Sequence, residues 1–235
     1  MKKLLLAVFS LFTLMVNAQT ADEIVNNFSK SMGGMDVFMK TSTAKLTGIV
    51  TAQGMDFPIT IVIVNNKSMR ADVDVMGQKI VNVYNEGKGW KIDPFNGATD
   101  ATDVEGSELI GFKAQASLAS TLMNYKNLEN KIELAGEETI EGVKNYKIKM
   151  TNKEDGKATT YFINGTNWGL TKAVTTRDIQ GQETDVETLF GDPKEFGGMK
   201  FYMTRTQQAM GQVFQSLSFT NVELNLTVDP KIFDK

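Results

Sequence analysis

From Thr43 to the end of the chain, short segments rich in Val, Ile, Thr and Tyr alternate with Gly-, Asn- and Asp-containing turns at intervals of roughly ten residues. Within the segments apolar residues recur at every second position, as in Tyr146, Ile148 and Met150, which is the period of a strand with one face buried. The pattern predicts a first meander with strands at 43–52, 56–64, 67–75, 78–84 and 88–92, turning at Gly54, Asn65-Asn66, Gly77 and Glu86-Gly87. A second meander is predicted at 130–139, 143–151, 157–163, 170–178, 182–190, 199–208 and 212–225. Gly77-Gln78, Gly181-Gln182 and Gly211-Gln212 could be taken for a ligand-binding repeat, but tight hairpins need such glycines, and these pairs are read as turns.

The start of the chain reads differently. Met1-Lys2-Lys3, the apolar run Leu4 to Val16 and the small residue Ala18 make a signal peptide over residues 1–18, with cleavage after Ala18. The run is shorter than the roughly 20 residues of a spanning helix, so export to the periplasm, or secretion, is expected, with residues 19–235 forming one domain. Thr20-Ala21-Asp22-Glu23 is a capping box. Ile24, Phe28 and Met32 follow at four-residue spacing and Gly33-Gly34 can end the turn, which predicts a helix over 21–32. Between the meanders, Asp93 to Ser107 reads as an acidic loop. Residues 108–125 read as a helix with Leu118, Leu122 and Tyr125 on one face, split or kinked near Gly111 and Ser117. Helices lying over a curved, mostly antiparallel sheet, an α+β domain, are the expected architecture.

The chain contains no histidine and no cysteine. The usual general base, the usual zinc ligand and every Ser-His or Cys-His nucleophile pair are thereby excluded, and no disulfide holds the fold. Asp93, Asp100, Asp103, Glu105 and Glu108 could be imagined as a carboxylate or calcium site, but they lack the ligand spacing of a calcium loop and read as a solvated segment. No catalytic residue, metal site or enzymatic activity is assigned. The formal charge of −3 becomes −5 when Lys2 and Lys3 leave with the signal, so nucleic acid is not an expected partner. The 13 methionines suit either a surface that accepts varied apolar shapes or an ordinary core. Trp90 and Ile92 before Asp93-Pro94-Phe95, with Phe28, Leu109, Phe112 and Leu122 from the helical segments, could line a cavity for acyl chains, where each buried methylene is worth about 0.8 kcal/mol.

The stretch VNVYNEGKGWKIDPFNGATDA (Val81 to Ala101) resembles the strand–turn–strand and following loop of the LolA-like periplasmic lipoprotein carriers, and the order of helix, meander, helical insert and second meander ending in VDPKIF (Val228 to Phe233) follows that family. GDPKEFGGMKF (Gly191 to Phe201) also resembles a strand pair of exported lipoprotein-sorting factors. The resemblance implies an unclosed, curved β-barrel of about 11 strands, covered by short helices, that holds a lipid or a lipoprotein acyl chain and needs no cofactor. Membrane-bound donor and acceptor proteins would be its further partners. The carriers place an arginine after the second strand to hold the cover closed. Here that position is Asn65-Asn66, and Arg70 on the next strand either takes the role or is an outward-facing charge, the reading its alternation favours. The expected cavity-lining residues are Phe28, Ile61, Ile63, Trp90, Ile92, Phe95, Phe112, Leu118, Leu122, Met150, Met203 and Phe219. The competing reading is a non-enzymatic exported structural or protein-interaction domain with a closed core.

Overall fold

The turns set the architecture. Gln53-Gly54, Met76-Gly77, Glu86-Gly87, Glu141-Gly142 and Met210-Gly211 each hold positive φ at both residues, the geometry whose twist matches the flanking strands, and glycine takes the second position without a Cβ penalty. The computed structural model describes residues 19–179 and 181–235; the expected signal peptide therefore lies outside the described residues. The strands are β1 (Thr43–Ala52), β2 (Met55–Val64), β3 (Ser68–Val75), β4 (Gln78–Asn85), β5 (Lys88–Asp93), β6 (Ala98–Val104), β7 (Lys131–Ile140), β8 (Val143–Thr151), β9 (Ala158–Asn164), β10 (Leu170–Ile179), β11 (Gln182–Phe196), β12 (Met199–Ala209) and β13 (Gln212–Leu224). Helices α1 (Ala21–Ser31), α2 (Met35–Lys40) and α3 (Gly106–Gln115) accompany them.

All the strands join one antiparallel sheet in the order β6-β5-β4-β3-β2-β1-β13-β12-β11-β10-β9-β8-β7. Only the β1–β13 pair is non-sequential, and β6 and β7 remain edges, so the curved sheet stays an unclosed barrel. At the β1–β13 seam the register shifts between Thr47 and Gly48. A Cβ on Gly48 would stand 2.2 Å from the Ser218 carbonyl oxygen, so the bulge needs glycine. Edge strand β7 is largely exposed and carries Glu133, Glu137 and Glu138, paired to Lys149, Lys144 and Lys147 of β8; such charges discourage a further strand from adding.

The concave face carries Leu46, Ile61, Ile63, Met69, Ala71, Ile148, Ile163, Met203 and Phe219 into the main core. Over it lies α1, whose capping box forms as expected: the Glu23 amide donates to Thr20 Oγ1 at 3.2 Å and the Thr20 amide to Glu23 Oε2 at 2.8 Å. Its face Ile24, Val25 and Phe28 is buried. The convex face at the β2–β6 end is also covered. There Val62, Val64, Val81, Val83, Trp90 and Ile92 pack beneath Val228, Ile232 and Phe233 of the C-terminal segment.

Every strand expected from the alternation is present, with ends shifted by a few residues, and the sheet gains β6 within what reads as an acidic loop. Ala98-Thr99-Asp100-Ala101-Thr102-Asp103 has two strand-favouring threonines but no alternating large apolar residues and two strand-disfavouring aspartates; backbone pairing to β5 and packing of Ala101 on the convex cluster hold it extended. The helix expected over 108–125 is also corrected. It ends at Gln115, and residues 121–129 are successive turns. The Leu118 amide donates to Asn65 Oδ1 at 3.0 Å and the Asn66 amide to the Ala116 carbonyl at 2.8 Å, so tertiary partners replace the helix's own bonds. Helix α2 is too short to show a period in the sequence.

Candidate functional site

Between the concave face and its cover lies a cavity of about 310 Å³. Each element brings one or two apolar groups to it, the strands by alternation and the helices by their three-to-four-residue period. Phe28 and Met32 come from α1 and its C-terminus, Phe38 from α2, Leu46 from β1, Ile61 and Ile63 from β2, and Phe219 from β13. Leu118 and Met123 come from the segment after α3, Tyr161 from β9, Leu170 from β10, Phe190 from β11, and Phe201 and Tyr202 from β12. The Phe38–Phe201 and Phe190–Tyr202 ring pairs lie 6.5 and 5.2 Å apart, within the range of favourable tilted contacts. A second cavity of about 550 Å³, lined by Met39, Tyr84, Ile110 and Leu128 with several asparagines, shares Ala114, Ser117 and Thr121 with the first. The segment 114–121 is the wall between them.

Asn65 fixes that wall. Its amide donates to the Phe38 carbonyl at 2.7 Å and the Thr41 carbonyl at 2.9 Å, while its oxygen accepts the Leu118 amide. One side chain in the β2–β3 turn thus ties the end of α2 to the segment after α3. The Thr121 and Tyr161 hydroxyls meet at 3.1 Å on the same wall, and the Ser117 hydroxyl is buried there without a partner. Asp22 of α1 accepts from the Tyr125 hydroxyl, joining α1 to the turns that follow. That bond, with Lys126 beside it, holds the Asp22 carboxyl below its usual range.

The cavity suits binding better than proton transfer. Burial pushes the Tyr202 phenol up to about 12 and raises Tyr161 as well, so both stay neutral near pH 7. Among the described residues no Asp or Glu lines the cavity, and Arg205 is the charged residue whose position on β12 directs it inward. Among the described residues no cluster of three or more carboxylates could hold a metal ion. The acidic segment is engaged locally: Lys91 reaches Glu108 at 2.7 Å, Lys235 reaches Asp103 at 2.9 Å, and Asp93 caps the turn at Phe95.

Of the residues expected to line a cavity, Phe28, Ile61, Ile63, Leu118 and Phe219 are brought together in it. Phe112, Leu122, Met150 and Met203 are buried in the surrounding core behind that lining. Trp90 and Ile92 lie on the opposite face of the sheet, and Phe95 is 52% exposed in a turn. Paired residues of antiparallel strands share a face. The row Val62, Arg70, Val83, Trp90 is convex, because Met69 and Tyr84, one position along, belong to the main core. On that face Arg70 donates to the Ile232 carbonyl at 2.8 Å and to Asp72 at 2.8 Å, and Trp90 Nε1 donates to the Phe233 carbonyl at 3.1 Å. Arg70 therefore faces outward, as its alternation suggests, and pins the C-terminal segment; Asn65 holds the cover.

Leu46, Phe190, Phe201 and Arg205 were not signalled by the family likeness. For Arg205 the alternation itself carried a signal. It lies two positions beyond Met203 on β12 and pairs with Phe190 and Leu217, so extending the inward series by one step places a charge on the concave face.

No family model matches the sequence, and no curated protein matches it. Solved structures match its fold. A LolA superfamily protein from Nitrosomonas europaea superposes with a TM-score of 0.58 at 11% identity, over 93% of this chain and 99% of that one. A DUF1329 family protein from Desulfovibrio piger gives 0.62 at 12% identity, over 92% and 98%. An outer-membrane lipoprotein-sorting protein domain from Vibrio parahaemolyticus gives 0.61 at 10% identity, over 91% and 97%. With its unclosed thirteen-stranded sheet and short covering helices, the chain has the LolA-like fold.

Proposed function

We propose that this chain is an exported, non-catalytic binding protein that carries an acyl chain, of a lipid or a lipoprotein anchor, between the curved sheet and its helical cover. The observation behind this reading is the carboxylate-free cavity of about 310 Å³ walled by Phe28, Leu46, Ile61, Ile63, Leu118 and Phe219. A methylene occupies about the volume of a water, roughly 30 Å³. The cavity then has room for about ten methylenes, and burial at about 0.8 kcal/mol each gives a gross gain of about 8 kcal/mol. Association and ordering subtract several kcal/mol from that figure. Affinity would follow chain length, with loose selectivity among acyl groups. The fold shared with a lipoprotein-sorting domain supports a carrier, with a membrane-bound donor and acceptor as its partners.

Native mass spectrometry with lipid extraction, on protein expressed with its leader and purified from the periplasm, tests the reading. Co-purifying acyl species lost from a folded Ile61→Asp or Leu118→Asp variant are expected. Protein that is always empty and refuses a fluorescent fatty acid would sink it. A second reading, an exported interaction domain, draws on the hairpin tips at one end of the sheet, where Met55, Met76, Met210, Val213 and Phe214 are exposed.

A further inference from the structure

The concave face carries one residue that a purely apolar carrier has no use for. Arg205 sits on β12 between Phe190 of β11 and Leu217 of β13, both directed toward the main core. Its guanidinium lies 5.9 Å from the Phe219 ring. The side chain remains accessible from the cavity it helps to line. By accessible surface Arg205 is an exposed residue; burial by nearby protein lowers its pKa from the ordinary arginine value, and no hydrogen bond or neighbouring charge contributes to that shift. Arginine stays protonated under such conditions. The charge therefore persists, facing apolar walls with no Asp or Glu among the lining residues.

With no carboxylate beside it the exposed guanidinium is left to water in the cavity, and an apolar chain laid over it would strip that water without replacing its hydrogen bonds. A ligand that brings its own negative charge would remove that cost. A guanidinium offers parallel N–H donors that match a carboxylate or a phosphate.

We propose that Arg205 is the head-group anchor of the cavity, and that the ligand is an anionic amphiphile whose carboxylate or phosphate ester pairs with Arg205 while its acyl chain runs along Phe219, Leu46 and Ile61 toward Phe28. This rests on the acyl-binding reading given above and narrows it to anionic acyl compounds.

The test is displacement of N-phenyl-1-naphthylamine, a neutral fluorescent probe, from the full mature protein by hexadecanoate, hexadecanol, hexadecyl phosphate and inorganic phosphate. Wild type should bind hexadecanoate at least about tenfold more tightly than hexadecanol, the factor expected of one charge-assisted hydrogen bond. In Arg205→Gln the two should come within about threefold of each other, and Arg205→Lys should keep part of the preference. Hexadecyl phosphate binding more tightly than hexadecanoate would assign the head group as a phosphate ester, and the reverse order as a carboxylate. Equal binding of acid and alcohol by wild type, or a preference that survives Arg205→Gln, overturns the anchor and leaves acyl binding intact. Displacement of hexadecanoate by millimolar inorganic phosphate alone overturns it too, since the site would then read a free anion. If neither the probe nor any alkyl compound binds, the acyl reading and the anchor fall together.

Discussion

Replacing Asn65 with alanine should loosen the cavity's cover without unfolding the sheet. The side chain makes two donated bonds, to Phe38 and Thr41, and one accepted bond, from Leu118. Each is worth about 0.5–1.5 kcal/mol net. The carbonyls at the end of α2 are only partly buried, so water can replace part of what the donors supply. A loss of about 2 kcal/mol, concentrated in the segment 114–121, is the resulting figure. At about 1.4 kcal/mol per factor of ten, exchange of the Leu118 amide should speed up roughly 30-fold in native-state hydrogen exchange. Amides of β12 and β13 that open only with global unfolding should change far less. Asn65→Asp should be worse than Asn65→Ala at neutral pH, because it keeps the acceptor for Leu118 but turns a carboxylate toward two carbonyl oxygens. Release of a bound fluorescent fatty acid should quicken in the same order. If Leu118 exchange moves by less than about threefold while the thermal midpoint drops, Asn65 supports the fold as a whole and its role as the tie of the cover is refuted.

Three other perturbations probe separate features. Gly48→Ala would drive a Cβ to 2.2 Å from the Ser218 oxygen, so the β1–β13 seam must shift, costing about 1–3 kcal/mol in urea unfolding; an unchanged midpoint would show the bulge to be soft. Trp90→Ala removes a buried indole and its bond to the Phe233 carbonyl, for about 3–5 kcal/mol, and should make the C-terminal residues sensitive to carboxypeptidase while leaving acyl binding in place. Asp22 has a folded pKa below its unfolded value, first through the Tyr125 hydroxyl. Its stabilising contribution is therefore complete above about pH 4 and is lost as pH falls through the lower folded value. Asp22 is largely solvent-exposed, so the effect is small. Asp22→Asn should lower stability at pH 7 and flatten the acid side of the midpoint-versus-pH curve, and parallel curves for the two proteins would count against the assignment.

The strands were legible because their signals are local: alternation such as Tyr146, Ile148, Met150 and the X-Gly turns both act within a few residues. The face each residue occupies was less so. On β4 both faces carry apolar groups, Tyr84 toward the main core and Val81 and Val83 beneath Val228 to Phe233, and Trp90 and Ile92 of β5 join the convex set. Apolar side chains there do not reveal which side holds the cavity, and Trp90 and Ile92 are the residues this misplaces. The end of α3 was illegible for another reason. The group that captures the Leu118 amide, Asn65, is 53 residues away in sequence, and no local propensity anticipates such a competitor. Asn65 was not singled out as the tie for the same reason: its bonding partners Phe38, Thr41 and Leu118 lie 27, 24 and 53 residues away in sequence.

The β1–β13 pairing has a kinetic consequence. Every other neighbour in the sheet is also a neighbour in sequence, so two antiparallel arms can zip from their turns on the microsecond scale of hairpins. The central seam joins residues such as Ala44 and Leu224 and must close nearly the whole chain, an entropy cost that local contacts do not offset in advance. On the ribosome or after passage through a membrane, the middle of the sheet can form only when its last strand has arrived. Until then two open edges and the apolar concave face stand exposed together, the state in which such a chain is most prone to aggregate.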